Sequence, residues 1–198
     1  MTDRPILFSG PMVRALLDGR KTQTRRVIKP QPTDDIVRVN GYWFDHARGV
    51  DSKEITPFMV GDKLWVRETW QDVAEGYLTI YRADYPDCVP AHFENVPALA
   101  DLKTTWRPSI FMPRKASRLT LFVTDVRVER LQSISEADAE AEGAKPVLVP
   151  PDGGSAPFFE GYREIWERIN GRASWDANLW VVAVSFTVIR GNIDRVYP

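Results

Sequence analysis

The stretch RLTLFVTDVRVERL, residues 118–131, constrains the fold more than any other part of the chain. Apolar and polar residues alternate over most of its length, the period of a strand with one face buried and one wet. A strand this long leaves many backbone groups to satisfy, so it requires neighbouring strands. The sequence offers them. PILFS (5–9), the extended KTQTRRVI that begins at Lys21, KLWVRE (63–68), YLTIYRA (77–83) and LWVVAVSFTVI (179–189) all read as strands rich in branched and aromatic residues. In KLWVRE, Leu64 and Val66 share one face, and Trp65 and Arg67 the other. Asn40-Gly41 suits a hairpin.

Helical signals are fewer. Gly10-Pro11 opens a helix carrying Met12, Val13, Leu16 and Leu17, and Gly19 is placed to cap its end. A second helix begins near Ser133 or Ser135, either of which fits a Ser-x-x-acid capping box, and stops at Gly143. A third spans about 158–170, with Phe159, Tyr162, Trp166 and Ile169 on one face and Gly171 as its stop. No regular strand–helix–strand alternation links these elements, which argues for an α+β or barrel-like fold. At 198 residues the chain fits a single domain, and seven Trp and fifteen Pro suit short strands, turns and aromatic walls.

Formal net charge is −1, but the charge is uneven along the chain. Residues 1–30 hold seven Lys/Arg against two acids, and 102–124 hold Lys103, Arg107, Arg114, Lys115 and Arg118 with no acid. Such a distribution favours a local anionic ligand over broad coating of DNA. Cys88 is the only cysteine, which excludes an internal disulfide. His46 and His92 are the only histidines and have no recognisable partners, so no zinc set is expected. With no signal-peptide core and no membrane-length apolar run, the expectation is a cytoplasmic chain without metal or other cofactor.

Chemistry concentrates in GRKTQTRR (19–26), which sets Arg20, Lys21, Arg25 and Arg26 around two hydroxyls. Crowded cations lower a lysine's proton affinity, and a neutral lysine can take a proton from a threonine hydroxyl. The same residues would serve equally as a phosphate site or as a solvated basic strand. One geometric demand stands out. In a regular strand Lys21 and Thr24 point to opposite faces, so a turn or bulge at Arg20-Lys21 is needed to join them.

Four blocks in order, LLDGRKTQTRR (16–26), GDKLWV (61–66), ISEADAEAEG (134–143) and LWVVAVSF (179–186), resemble the ASCH domain family of PUA-like proteins, and in particular its N(4)-acetylcytidine amidohydrolases. They cover under a third of the chain. The resemblance implies a PUA-like mixed β-barrel with flanking helices and elaborated loops over residues 1–198, with insertions near 30–60, 71–118 and 145–160. It further implies a nucleoside- or RNA-directed hydrolase in which Lys21 accepts a proton, Thr24 attacks and Glu142 donates a proton. Over most of its length the chain is similar to ASCH-containing proteins of phages and prophages, through GRKTQTRR, WRPSIFMPRKASR and SWDANLWV. Other ASCH members are thought to cut or bind RNA in the same cleft, so a non-catalytic RNA or modified-base binding module is the alternative.

TWRPSIFMPRKASR (105–118) interleaves Trp106, Phe111 and Met112 with cations, a pattern that can stack bases and hold phosphates of single-stranded RNA, or simply edge a barrel. The substrate-binding candidates are therefore Arg20, Arg25, Arg26, Trp65, Arg67, Trp106 and Arg114.

Overall fold

The computed structural model describes residues 2–39, 42–73, 78–85, 106–148 and 156–197. In chain order the elements are β1 (Asp3–Leu7), α1 (Gly10–Leu17), β2 (Gln23–Val27), β3 (Ile36–Val39), β4 (Tyr42–Asp45), β5 (Val50–Asp51), α2 (Ser52–Ile55) and β6 (Lys63–Arg67). They continue with β7 (Trp70–Val73), β8 (Leu78–Tyr81), β9 (Leu119–Arg130), α3 (Glu136–Ala141), α4 (Pro157–Asn170), α5 (Arg172–Asp176) and β10 (Trp180–Arg190). The architecture is mixed α+β. Two compact units interleave along the chain: residues 20–62 with 123–187, and residues 2–19 with 63–122 and 188–198. The long strands β9 and β10 contribute to both.

In the first unit β10 lies between β9 and β2. It pairs antiparallel with β2 from Val181↔Val27 to Ser185↔Gln23. Val181, Val182, Ala183 and Val184 are all buried, because a central strand covered on both faces needs apolar side chains at every position. Against this sheet sits a core of Leu131, Ile134, Ala139, Tyr162, Trp166, Trp175 and Val181. The aromatic rings meet edge-on, Phe159 with Trp175 at 5.5 Å between centroids. Helix α3 starts on Ser135, whose hydroxyl accepts from the Asp138 amide at 3.1 Å, as the capping box predicts. Helix α4 has no local cap. The Glu136 carboxylate accepts instead from the Phe158 and Phe159 amides at 2.6 and 2.9 Å, and so satisfies two orphan donors of its first turn. Gly161 meets the Lys145 carbonyl where a Cβ would stand. Ile169, expected on the buried face of α4, is 61% exposed; Tyr162 and Trp166 are buried on that face, with Phe159 and Ile165 packed partly buried beside them. Strands β3 and β4 pair antiparallel up to Val39↔Tyr42. The Asn40-Gly41 turn itself lies outside the described residues, as do Cys88 and His92.

In the second unit β1 runs parallel to β6, and β6 antiparallel to β9. Strand β6 alternates as its sequence demands, with Leu64 and Val66 buried and Trp65 and Arg67 partly exposed. Strand β9 does so only in its second half. Leu119–Val123 are buried without interruption, since neighbours cover both faces there. Helix α1 packs on the short turn Arg82–Asp84. Residues 106–118, at the end of the expected 71–118 insertion, include two single turns, Ser109–Phe111 and Arg114–Ala116.

The expected barrel does not close among the described residues. β1 pairs only with β6 and β2 only with β10. Just before β2 the chain is tied to the end of α3, where the Thr22 amide donates to the Ala141 carbonyl at 2.8 Å.

Candidate functional site

The GRKTQTRR segment begins where α1 ends. Gly19 adopts φ 73°, a left-handed conformation that releases the chain from the helix and that only glycine adopts without strain. Arg20 is exposed beyond it. Lys21 then forms an isolated antiparallel bridge with Glu142, the residue that caps the end of α3. This backbone bridge brings two charged side chains, 121 positions apart, into the interior together.

Lys21 is 2% exposed and Glu142 5%. The Lys21 ammonium donates to Glu142 Oε2 at 2.7 Å and to the Glu142 carbonyl at 2.8 Å. Burial is the largest influence on Lys21 and lowers its proton affinity below the usual 10.5. The Glu142 charge and hydrogen bond act the other way, and the positive charges of Arg26 and Arg25 add to the lowering.

Arg25 closes the other side of the carboxylate. Its side chain is wholly buried. Nη1 donates to Glu142 Oε1 at 3.3 Å and to Gln23 Oε1, Nη2 to Glu129 at 2.6 Å and Asp138 at 3.2 Å, and Nε to Glu129 at 3.1 Å. One planar guanidinium thus holds three carboxylates, a task for which a lysine has neither the reach nor the fork geometry. Gln23 ties the network to Asp138 at 3.0 Å and to the Ser185 hydroxyl at 3.1 Å. Arg127 reaches Asp138 from the surface at 2.9 Å.

Lys21, Gln23 and Arg25 therefore keep the two-residue period of a strand, all three turned toward the acids of α3 and β9. Thr24 is buried at 4% and stands opposite Val184 in the register. By the same period its side chain leaves β2 on the face opposite Gln23 and Arg25. Arg26 is partly buried, and that burial lowers its proton affinity, against the charges of Glu142 and Tyr162.

A surface depression of about 280 Å³ adjoins the pair. Arg20, Glu140, Ala144, Lys145, Pro146 and Phe158 line it, so chain neighbours of both Lys21 and Glu142 form its wall.

The remaining candidates belong to the second unit. The Arg67 guanidinium lies over the Trp65 ring at 5.3 Å and donates to the Ile110 carbonyl. Trp106 packs edge-on against Tyr85 at 6.0 Å. Arg114 is bound to Asp194 and Asp3, whose hydrogen bonds hold it protonated more firmly than usual.

Sequence reasoning missed Glu129, Asp138 and Gln23. Asp138 and Glu142 stand four residues apart on one helix and so share a face, a signal that was available. Among the described residues, no helix is long and apolar enough to cross a membrane, and no group of three or more His, Cys, Asp or Glu could hold a metal ion. Comparison with protein-family models, with curated proteins and with solved structures finds no match in any of the three.

Proposed function

We propose that this chain is an ASCH-type hydrolase of a nucleoside or RNA substrate, removing an acyl group from a modified cytidine with the Lys21–Glu142 pair as its proton-transfer device. The observation that carries this reading is the contact itself, an ammonium and a carboxylate 2.7 Å apart and almost fully removed from water. Burial lowers the proton affinity of Lys21, so the form of the pair with one proton moved off the ammonium comes closer in energy to the ionic one. That neutral form holds both groups a hydrolysis needs: an amine base and a carboxylic acid. Lys21 takes a proton from the attacking hydroxyl as the new C–O bond forms. Glu142 gives its proton to the exocyclic nitrogen as the C–N bond breaks. The ionic pair is left behind, and return of one proton from Lys21 to Glu142 restores the start. Water plus N(4)-acetylcytidine balances to cytidine plus acetic acid.

The ASCH resemblance makes Thr24 the attacking hydroxyl, with an acyl-enzyme that water then releases. The strand period favours a second form, in which water attacks directly, because Thr24 leaves β2 on the face away from Gln23 and Arg25. Chromatographic assay of N(4)-acetylcytidine turnover separates them. Lys21→Met and Glu142→Gln should each lower the rate by about 10³-fold or more, since each deletes one proton-transfer role. Thr24→Ala should match that loss if the hydroxyl attacks, and stay within about tenfold if water does. Turnover indifferent to both Lys21→Met and Glu142→Gln would defeat the proposal. So would binding of cytidine derivatives or single-stranded RNA without any turnover, which is the behaviour of a binding module.

A further inference from the structure

A second cavity lies wholly within the other unit. It measures about 390 Å³ and is lined by Ser9, Gly10, Pro11, Arg14, Glu68, Thr69, Arg82 and Ala83. That volume is within the range of small-molecule sites.

The charges around this cavity do not cancel. Glu68 is 1% exposed, and its carboxylate is taken up by Arg118, Nε to Oε1 at 2.8 Å and Nη2 to Oε2 at 3.0 Å. The neighbouring carboxylate, Asp84, is taken up by the same guanidinium, at 3.0 Å from Nη2 and again from Nη1. Arg118 itself is fixed over the Tyr81 ring at 4.0 Å. Both acids thus share one guanidinium, which leaves one negative charge against two cations, Arg14 and Arg82, that reach the cavity without a carboxylate partner among the described residues. Arg14 spends one donor on the Ala83 carbonyl at 2.9 Å, out of the five a guanidinium carries. The Arg82 side chain is exposed. Two hydroxyls, Ser9 and Thr69, complete the polar lining, and the Ser9 hydroxyl is not used to cap α1.

We propose that this cavity binds a phosphoryl group of a nucleotide. Two guanidinium forks and two hydroxyls offer more donors than the two oxygens of a carboxylate can accept, and they suit the oxygens of a phosphate. The volume exceeds that of the anion alone and leaves room for the group esterified to it. This site uses neither Lys21 nor Glu142, so it stands or falls apart from the hydrolase reading.

Calorimetric titration of the full chain at low salt tests it, with inorganic phosphate, cytidine 5′-monophosphate and an oligocytidylate lacking terminal phosphates as probes. Phosphate and at least one of the other two should bind, and affinity should fall as salt rises. Arg82→Glu should weaken binding by about tenfold or more, and Arg14→Lys, which keeps charge but loses the fork, by less. Arg163→Ala, a cation of the first unit paired with Glu167, should change nothing. Tighter binding of the monophosphate assigns a free nucleotide; tighter binding of the oligomer assigns a backbone phosphate; either supports the site. Absence of binding to all three probes at about 10 mM overturns the proposal, as does equal weakening by Arg163→Ala and Arg82→Glu.

Discussion

Both units bury a glutamate against a cation, and they do so in opposite ways. Both oxygens of Glu68 are gripped by Arg118, through Nε and Nη2. Glu142 shares its oxygens between the Lys21 ammonium and one arm of Arg25. Burial pushes the Glu68 carboxyl upward, against the hydrogen bonds and charge of Arg118, but its partner is an arginine, which does not surrender its proton, so no proton passes between the two. Burial likewise acts against the Arg118 charge, and hydrogen bonds to Glu68 and Asp84 overcome it. Lys21 can surrender a proton, and burial moves it in that direction. The identity of one cation therefore separates a fixed support from a pair whose proton can move.

The sharpest way to break this contrast is to remove each central cation. Arg25→Met takes one shared partner from Glu129, Asp138 and Glu142 at once, leaving Lys21 on Glu142 and Arg127 on Asp138, and should cost about 3–5 kcal/mol in denaturant midpoint analysis. Arg118→Met strands Glu68 fully but leaves Asp84, at 31% exposure, within reach of water. Its cost should be smaller, about 2–3 kcal/mol. If Arg118→Met proves the more damaging, the first unit's carboxylates are not held as a connected set.

Much of this was legible in the sequence, and its limits have one cause. The alternation of KLWVRE, the Ser135 capping box and the stops at Gly19, Gly143 and Gly171 are local signals, and each element ends where its residues said it would. Local signals do not say what covers a face. Leu119–Val123 therefore read as half-buried, and Ile169 as core. The same limit governs the site. Lys21, Gln23 and Arg25 share a strand face by the simplest period in proteins, and that period was readable. The three acids they meet come from positions 129, 138 and 142, and only the fold reveals that these arrive together. Thr24 illustrates the converse: a resemblance in motif can name a residue, while the strand period decides which way it points.

Lys21 supplies a pH test of the movable proton. Its folded-state proton affinity lies below the unfolded reference of 10.5, so in the window beneath 10.5 the unfolded chain binds more protons than the folded one. Stability contributed by this group therefore rises with pH across that window. Unfolding free energies measured from pH 7 upward should climb relative to Lys21→Met, which lacks the titration. A parallel pair of curves would mean that Lys21 keeps its proton as firmly as Arg118 does.

The smallest effect concerns Asp138, where the buried network meets the surface. Burial works to raise its pKa, but hydrogen bonds from Arg127 and Gln23, with the charges of Arg127 and Arg25, bring it down to about 2. A depressed carboxyl stabilises the fold above its unfolded value of 3.8 and loses that contribution as pH falls toward 2. Because Arg127 is 34% exposed, solvent screening limits the effect, and about 1 kcal/mol is expected between the wild-type chain and Asp138→Asn across that acid window. High salt should shrink this difference while leaving the cost of Arg25→Met nearly intact, since the ions that screen Arg127 cannot approach a side chain removed from water. Equal salt sensitivity of the two would place Arg25 in solvent contact, and the distinction between a dry proton pair and its wet margin would be lost.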